Sequence, residues 1–205
     1  MYILDYSLLE TTDKVRLLKI IKRTEKKIQR LKREMEHPNY KKTTCPTELT
    51  MLSCERDFLN MARLRYSLLF NDYKEGRLEL SDINFFEKSS KIKNIKLTYG
   101  GVNRTSDTIE VDLSGNAPLF KSNFLQPNAD KKMDKDTFLK LFNNLHIGEW
   151  RKNYHTKRFN ISILDGEDWS LKIFYNDGKI LEYGGCNAYP YNFERLEDLL
   201  LYQFR

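Results

Sequence analysis

The chain has 205 residues, 40% apolar and 31% charged, with mean hydropathy −0.65, which leaves room for one large domain or two small ones with a divided core. Aromatics at 13% exclude a disordered chain, and no run approaches the ~18 apolar residues of a membrane span. The net charge of +6 falls wholly between Asp13 and Glu36, where ten Lys/Arg face four Asp/Glu; the rest of the chain holds 25 of each.

The N-terminal stretch MYILDYSLLETTDK has no basic region and no long apolar run, so no signal peptide is expected. Cys45, Cys54 and Cys186 are odd in number and form no CxxC, which fits a reducing, cytoplasmic setting. The basic stretch reads as a helix. Leu17, Ile21, Thr24, Ile28, Leu31 and Met35 recur at alternating spacings of four and three, with charges between them. Thr12 or Asp13 can cap its start, and Pro38 stops it. A second helix is predicted from Thr47 to Phe70, with Leu52, Leu59, Ala62, Tyr66 and Leu69 on a seam interrupted by Glu55; Thr44 or Thr47 can cap it. Two amphipathic helices joined by a short loop predict an antiparallel hairpin over residues 1–73. Such a hairpin needs further cover, from the rest of the chain, a second copy or a partner. Residues 74–90 read as a connector.

From residue 91 the hydrophobic period changes to two. Ile92, Ile95, Leu97 and Tyr99 predict a strand ending at Gly100–Gly101, and Thr108 to Leu113 predicts its neighbour. Ser114 to Lys132 reads as loop. Asp134 to Leu145 is a short helix with an aspartate cap. Three further strands are expected, Phe159–Leu164, Trp169–Tyr175 and Lys179–Tyr183, the last two joined at Asp177-Gly178. A last helix runs from Asn192 to Phe204. Residues 91–205 thus predict an α+β domain: a small antiparallel sheet of about four to five strands with two covering helices.

The stretch GGCNAYPYNF, from Gly184 to Phe193, reads as a strand-to-helix junction. Its glycines end a strand, Pro190 suits a first helical turn, and Asn187 or Asn192 can cap. A functional reading has Asn187 and Tyr189 lining a groove on the open sheet face.

The stretch from about Phe138 to Leu200 resembles an uncharacterised bacterial domain with the pattern DG..W.L.I.Y.DG....G.NAYP.NF..L. The residues that carry it are Asp165, Gly166, Trp169, Leu171, Ile173, Tyr175, Asp177, Gly178, Gly185, Asn187, Ala188, Tyr189, Pro190, Asn192, Phe193 and Leu196, with Trp150 and Tyr154 upstream. The resemblance covers about a third of the chain and implies a fold unit, with no activity to carry over.

Chemical signatures are weak. His37, Cys45 and Cys54, and the pair His146 and His155, lack metal-ligand spacing, so no metal or cofactor is expected. Cys186 follows two glycines near a helix start, but neither histidine that could serve it has an evident orienting acid. Asp165, Glu167 and Asp168, and Asp107, Glu110 and Asp112, read as solvated acids rather than catalytic pairs. No phosphate-binding loop is present.

The basic helix remains. Lys19, Lys22, Arg23, Lys26, Arg30 and Arg33 fall on one face, and they are the predicted partner-binding residues. The expectation is a cytoplasmic, non-enzymatic binding protein that occupies a macromolecular surface. One form is an inhibitor of a bacterial defence nuclease, of the anti-CRISPR type encoded by phages. The predicted partner is an acidic protein surface or a nucleic acid or ribonucleoprotein, with no membrane, and with a homodimer through the hairpin as a further expectation. The alternatives are a regulator that binds DNA or RNA directly through the basic helix, and an enzyme using Cys186 or the acids.

Overall fold

The structure, a computed structural model, describes residues 4–42, 46–101, 106–128, 130–163 and 166–205. Thr44, Cys45, Leu164 and Asp165, named above, lie outside the described residues. The chain divides into two compact units, residues 1–75 and 76–205.

In the first unit a 3-10 turn, Tyr6–Glu10, leads into helix α1 (Lys14–Met35), followed by α2 (Glu48–Phe70). Asp13 caps α1 by accepting from the N–H groups of Val15 and Arg16, and Thr47 caps α2 through Thr50. Asn71, at φ 50°, ends α2 in the left-handed conformation that closes a helix. All six predicted seam residues of α1 are buried. They meet Leu52, Phe58, Leu59, Ala62 and Tyr66 of α2. Lys14 pairs with Asp72, Glu25 with Arg63 and Lys27 with Glu55, so the helices run antiparallel. Leu69, predicted for the seam, is 38% exposed, and Leu68 beside it is 73% exposed.

The second unit opens with α3 (Arg77–Lys88). The expected connector is therefore mostly helix, and its Phe85 joins the core beside Phe142. The sheet follows: β1 (Ile92–Gly101), β2 (Asp107–Asp112), β3 (Leu119–Ser122), then α4 (Lys135–Asn143), β4 (Asn153–His155), β5 (Glu167–Tyr175), β6 (Ile180–Cys186) and α5 (Phe193–Leu200). The strand order is β3-β2-β1-β5-β6-β4. Every pair is antiparallel except β4 with β6.

The fold is α+β, but the expected four to five antiparallel strands are six in a mixed sheet. Two strands were hidden because they are short. Four-residue β3 sits between Pro118 and a turn, and three-residue β4 cannot display a period. No described residue of the expected strand Phe159–Leu164 is in a strand. Thr156–Phe159 is a 3-10 turn that ends at Asn160 with φ 58°. Among the described residues three α-helices, not two, bury side chains in this core. Ile95, Leu97, Ile109, Val111, Leu171 and Ile173 alternate inward along the strands and meet Phe138 and Phe142 of α4 and Leu196 and Leu200 of α5. Polar side chains dominate the outward face, as in the cross-strand pair Lys172–Glu182, with Phe174, Ile180 and Leu119 as apolar exceptions. No helix among the described residues is long and apolar enough to cross a membrane.

Candidate functional site

Lys19, Lys22, Arg23, Lys26, Arg30 and Arg33 are all exposed. At 1.5 Å per residue they form a ridge about 20 Å long on α1. Arg30 reaches Glu34 at 3.4 Å, while the other five make no ion pair among the described residues. Lys27 leaves the ridge: it turns to the seam and binds the buried Glu55 carboxylate at 2.6 Å. Within the ridge, Lys19 and Arg23, Lys22 and Lys26, and Lys26 and Arg30 stand four apart. Each such like-charge pair costs an isolated helix about 0.2–0.5 kcal/mol. The hydrophobic seam needs none of these charges, and they oppose the helix that carries them.

Beside the ridge lies a groove of about 520 Å³. Arg23, Lys26 and Arg30 line it together with apolar Leu8, Ile20 and Phe58. The 3-10 turn forms one wall, docked by Tyr6 edge-on to Phe58 at 5.4 Å. The cations are legible in the sequence, but this wall is not, since a five-residue turn has no readable period.

The Gly184–Phe193 junction differs locally from expectation. Gly184 and Gly185 lie inside β6 rather than ending it. A Cβ on Gly185 would stand 2.6 Å from the Ala188 carbonyl and 2.7 Å from Trp169 Nε1. Asn187 does not start a helix. It takes φ 50°, and its side-chain oxygen accepts from the Glu167 N–H at 3.0 Å. Tyr189 hydroxyl donates to Glu167 at 3.1 Å, while its ring packs on Trp169 and Phe193. Pro190 precedes α5 by a turn, its carbonyl accepting from Phe193 N–H. Asn192 caps nothing with its side chain. Its carboxamide accepts from Trp150 Nε1 and donates to the Leu145 carbonyl.

Strand register sets Cys186 between His155 on β4 and Asp168 on β5. The hydrogen bond to the Asp168 carboxylate, helped by burial, pushes the thiol pKa up, which opposes a thiolate nucleophile. Of the acids named from the sequence, Glu110 accepts from Asn94 at 2.6 Å. Asp112 accepts from Ser114, which holds its carboxyl below the usual range. His146 and His155 are not brought together as ligands. His146 instead meets Asp82, Nδ1 to Oδ2 at 2.6 Å, with Glu149 close by. The 64-residue separation of Asp82 from His146 hid this grouping from any spacing rule.

Compared with known proteins, the chain matches no family model, no curated protein and no solved structure.

Proposed function

We propose that this is a non-enzymatic binding protein that occupies an acidic protein surface through the ridge of α1. The observation that carries this reading is a helix face of six exposed cations at mutually repulsive spacing, which the hairpin itself does not use. Complementary charge steers such a partner and fixes its register. The groove with Leu8, Ile20 and Phe58 beside Arg23, Lys26 and Arg30 favours a protein segment that carries both acidic and apolar side chains. Inhibition of the covered partner is one consequence such binding would have, and the covering of a bacterial defence nuclease, in the anti-CRISPR manner, is one form of it.

A second reading is supported by the length of the ridge. A continuous row of cations can follow successive phosphates of DNA or RNA and gain from counterion release. The test is capture from a bacterial lysate with the full chain as bait, with and without nuclease. The control bait carries Lys22, Arg23, Lys26 and Arg30 reversed to glutamate. A protein captured by the wild type alone in both arms supports the first reading. Capture lost on nuclease treatment supports the second, and equal capture by both baits overturns both.

A further inference from the structure

The second unit holds an open cleft, a cavity of about 390 Å³ at the surface, that none of the readings above uses. Its volume is in the range of small-ligand sites. Four exposed lysines line it from three stretches of chain: Lys88 at the end of α3 and Lys91 in the 3-10 turn that continues it, Lys152 before β4, and Lys179 in the β5–β6 turn. Among the described residues the one acid in the lining is Asp177, which Lys179 engages at 3.1 Å. Lys88, Lys91 and Lys152 make no ion pair among the described residues.

The walls are also aromatic. Lys152 Nζ lies 4.4 Å from the centroid of the buried Tyr183 ring. The half-buried ring of Tyr175 lines the cavity, next to Leu181 and the 57%-exposed Ile180. Burial lowers the Lys152 pKa, as expected of an ammonium drawn over an aromatic wall without a counterion.

Backbone bonds fix these walls. Asn176 N–H donates to the Lys91 carbonyl at 2.9 Å, tying the turn that carries Lys179 to the segment that carries Lys91. Gly184 N–H donates to the Lys152 carbonyl at 3.0 Å. Ser81 hydroxyl donates to the Gly148 carbonyl at 2.7 Å, holding α3 against the turn before Trp150. Lysines gathered on a fixed frame repel one another and gain from an anion; a half-buried aromatic wall gains from a flat ring. A ligand that bears both is a nucleotide, a base with its phosphates.

We propose that this cavity binds a nucleotide unit, its phosphates held by Lys88, Lys91 and Lys152 and its base placed against Tyr175 and Ile180. Free nucleotides and a single-stranded oligonucleotide both carry that chemistry, so the experiment separates them. Calorimetric titration of the full chain with AMP, ATP, inorganic phosphate, ribose 5-phosphate and a six-residue oligothymidylate reads the class directly. The expected order places ATP above AMP, and AMP above ribose 5-phosphate and phosphate. Lys91→Glu and Lys152→Glu each weaken AMP binding about tenfold or more, the worth of a charge-assisted contact. Tyr175→Leu, which keeps an apolar wall, brings AMP down to the affinity of ribose 5-phosphate. Melting curves of each variant establish that it is folded. The α1 ridge reversed to glutamate leaves AMP binding unchanged, so failure of the proposed function does not decide this test. Oligonucleotide binding lost in Lys91→Glu, with no AMP binding, assigns the unit to a strand. The proposal is overturned if neither AMP nor oligonucleotide binds, if phosphate binds as well as AMP, or if the folded Lys91→Glu and Lys152→Glu proteins bind as the wild type does.

Discussion

The indole N–H of Trp150 donates to the side-chain oxygen of Asn192 across 42 residues of chain, at 3.0 Å in a buried site. The same carboxamide donates to the Leu145 carbonyl at 2.6 Å, so one side chain satisfies two groups that water cannot reach. Trp150 in turn packs against Trp169, Tyr183 and Phe193. Asn192 is therefore the polar tie between the end of α4, the aromatic centre and the start of α5.

Asn192→Ala leaves an N–H and a carbonyl buried without partners, and the expected cost is about 2–4 kcal/mol. Asn192→Asp keeps an acceptor for Trp150, sets a carboxylate against the Leu145 carbonyl and buries a charge, so it should be no better. Urea unfolding followed by tryptophan fluorescence measures both.

Gly185→Ala should destabilise by about 1–3 kcal/mol, because the new methyl meets Ala188, Trp169 and Tyr154 atoms closer than 3.0 Å. The cause is close approach rather than backbone conformation. At Asn187 the cause is the reverse. Its φ of 50° is open to glycine, so Asn187→Gly keeps the backbone and loses side-chain contacts such as the bond to Glu167, while Asn187→Ala loses the same contacts, adds strain and should melt lower. Equal melting temperatures for the two would show that conformation is not what asparagine supplies there.

Where periodicity was strong, the sequence was a sufficient guide. The α1 seam from Leu17 to Met35 is buried residue for residue, Asp134 caps α4, and Gly178 closes the β5–β6 turn at φ 80°. The exposed face of α1 followed from the same helical geometry. Legibility failed where elements are too short to repeat their period convincingly, as in β3, β4 and the Tyr6–Glu10 turn. It failed again where long-range contacts outweigh a local role. Asn192 has the identity of a cap and serves as a buried brace, since burying Trp150 makes its N–H the costlier orphan. The lysine cleft was illegible because its four cations come from three stretches of chain between residues 88 and 179.

Glu55 interrupts the α2 seam, yet it is only 2% exposed, and Lys27 reaches it at 2.6 Å. Removing the cation takes one partner from a buried carboxylate, so Lys27→Ala should destabilise by about 1–2 kcal/mol. Replacing both partners, Lys27→Met with Glu55→Leu, should recover most of that loss or exceed wild-type stability. A double-mutant cycle by thermal melting checks the pair. Additive effects would remove Lys27 as the group that keeps Glu55 buried.

Glu197 is half-buried in α5, and its carboxylate accepts from the Tyr99 hydroxyl at 2.5 Å. Burial pushes its pKa above the usual glutamate range despite that hydrogen bond, with Glu194 and Glu167 adding in the same direction. The folded state therefore binds this proton more tightly than the unfolded chain does. Stability falls as pH rises from the unfolded pKa through the raised folded one, and the penalty is complete above it. Glu197→Gln keeps an acceptor for Tyr99 and removes the penalty. It should melt higher than wild type at pH 7, and the gap should close on acidification below about pH 4. A gap that is constant with pH would assign the change to packing.

The ridge of α1 makes two predictions of opposite sign in one variant. Lys22, Lys26 and Arg30 repel one another at four-residue spacing, and Arg30 has only the exposed Glu34 as partner. Changing all three to glutamine keeps good helix formers and long apolar stems at solvent positions. It removes two like-charge pairs and one weak surface ion pair, so α1 should become more stable by up to about 1 kcal/mol. The gain should be largest at low salt and shrink as ions screen the wild-type repulsion. Partner capture should fall in the same protein, because the charges lost are those that would meet the acidic surface. Full reversal of Lys22, Arg23, Lys26 and Arg30 to glutamate takes the net charge from +6 to −2 and should abolish capture with the fold intact. A triple-glutamine protein that melts lower than wild type at low salt would mean that these cations serve the hairpin after all. Undiminished capture by the reversed protein at low ionic strength would leave the ridge as a solvated face.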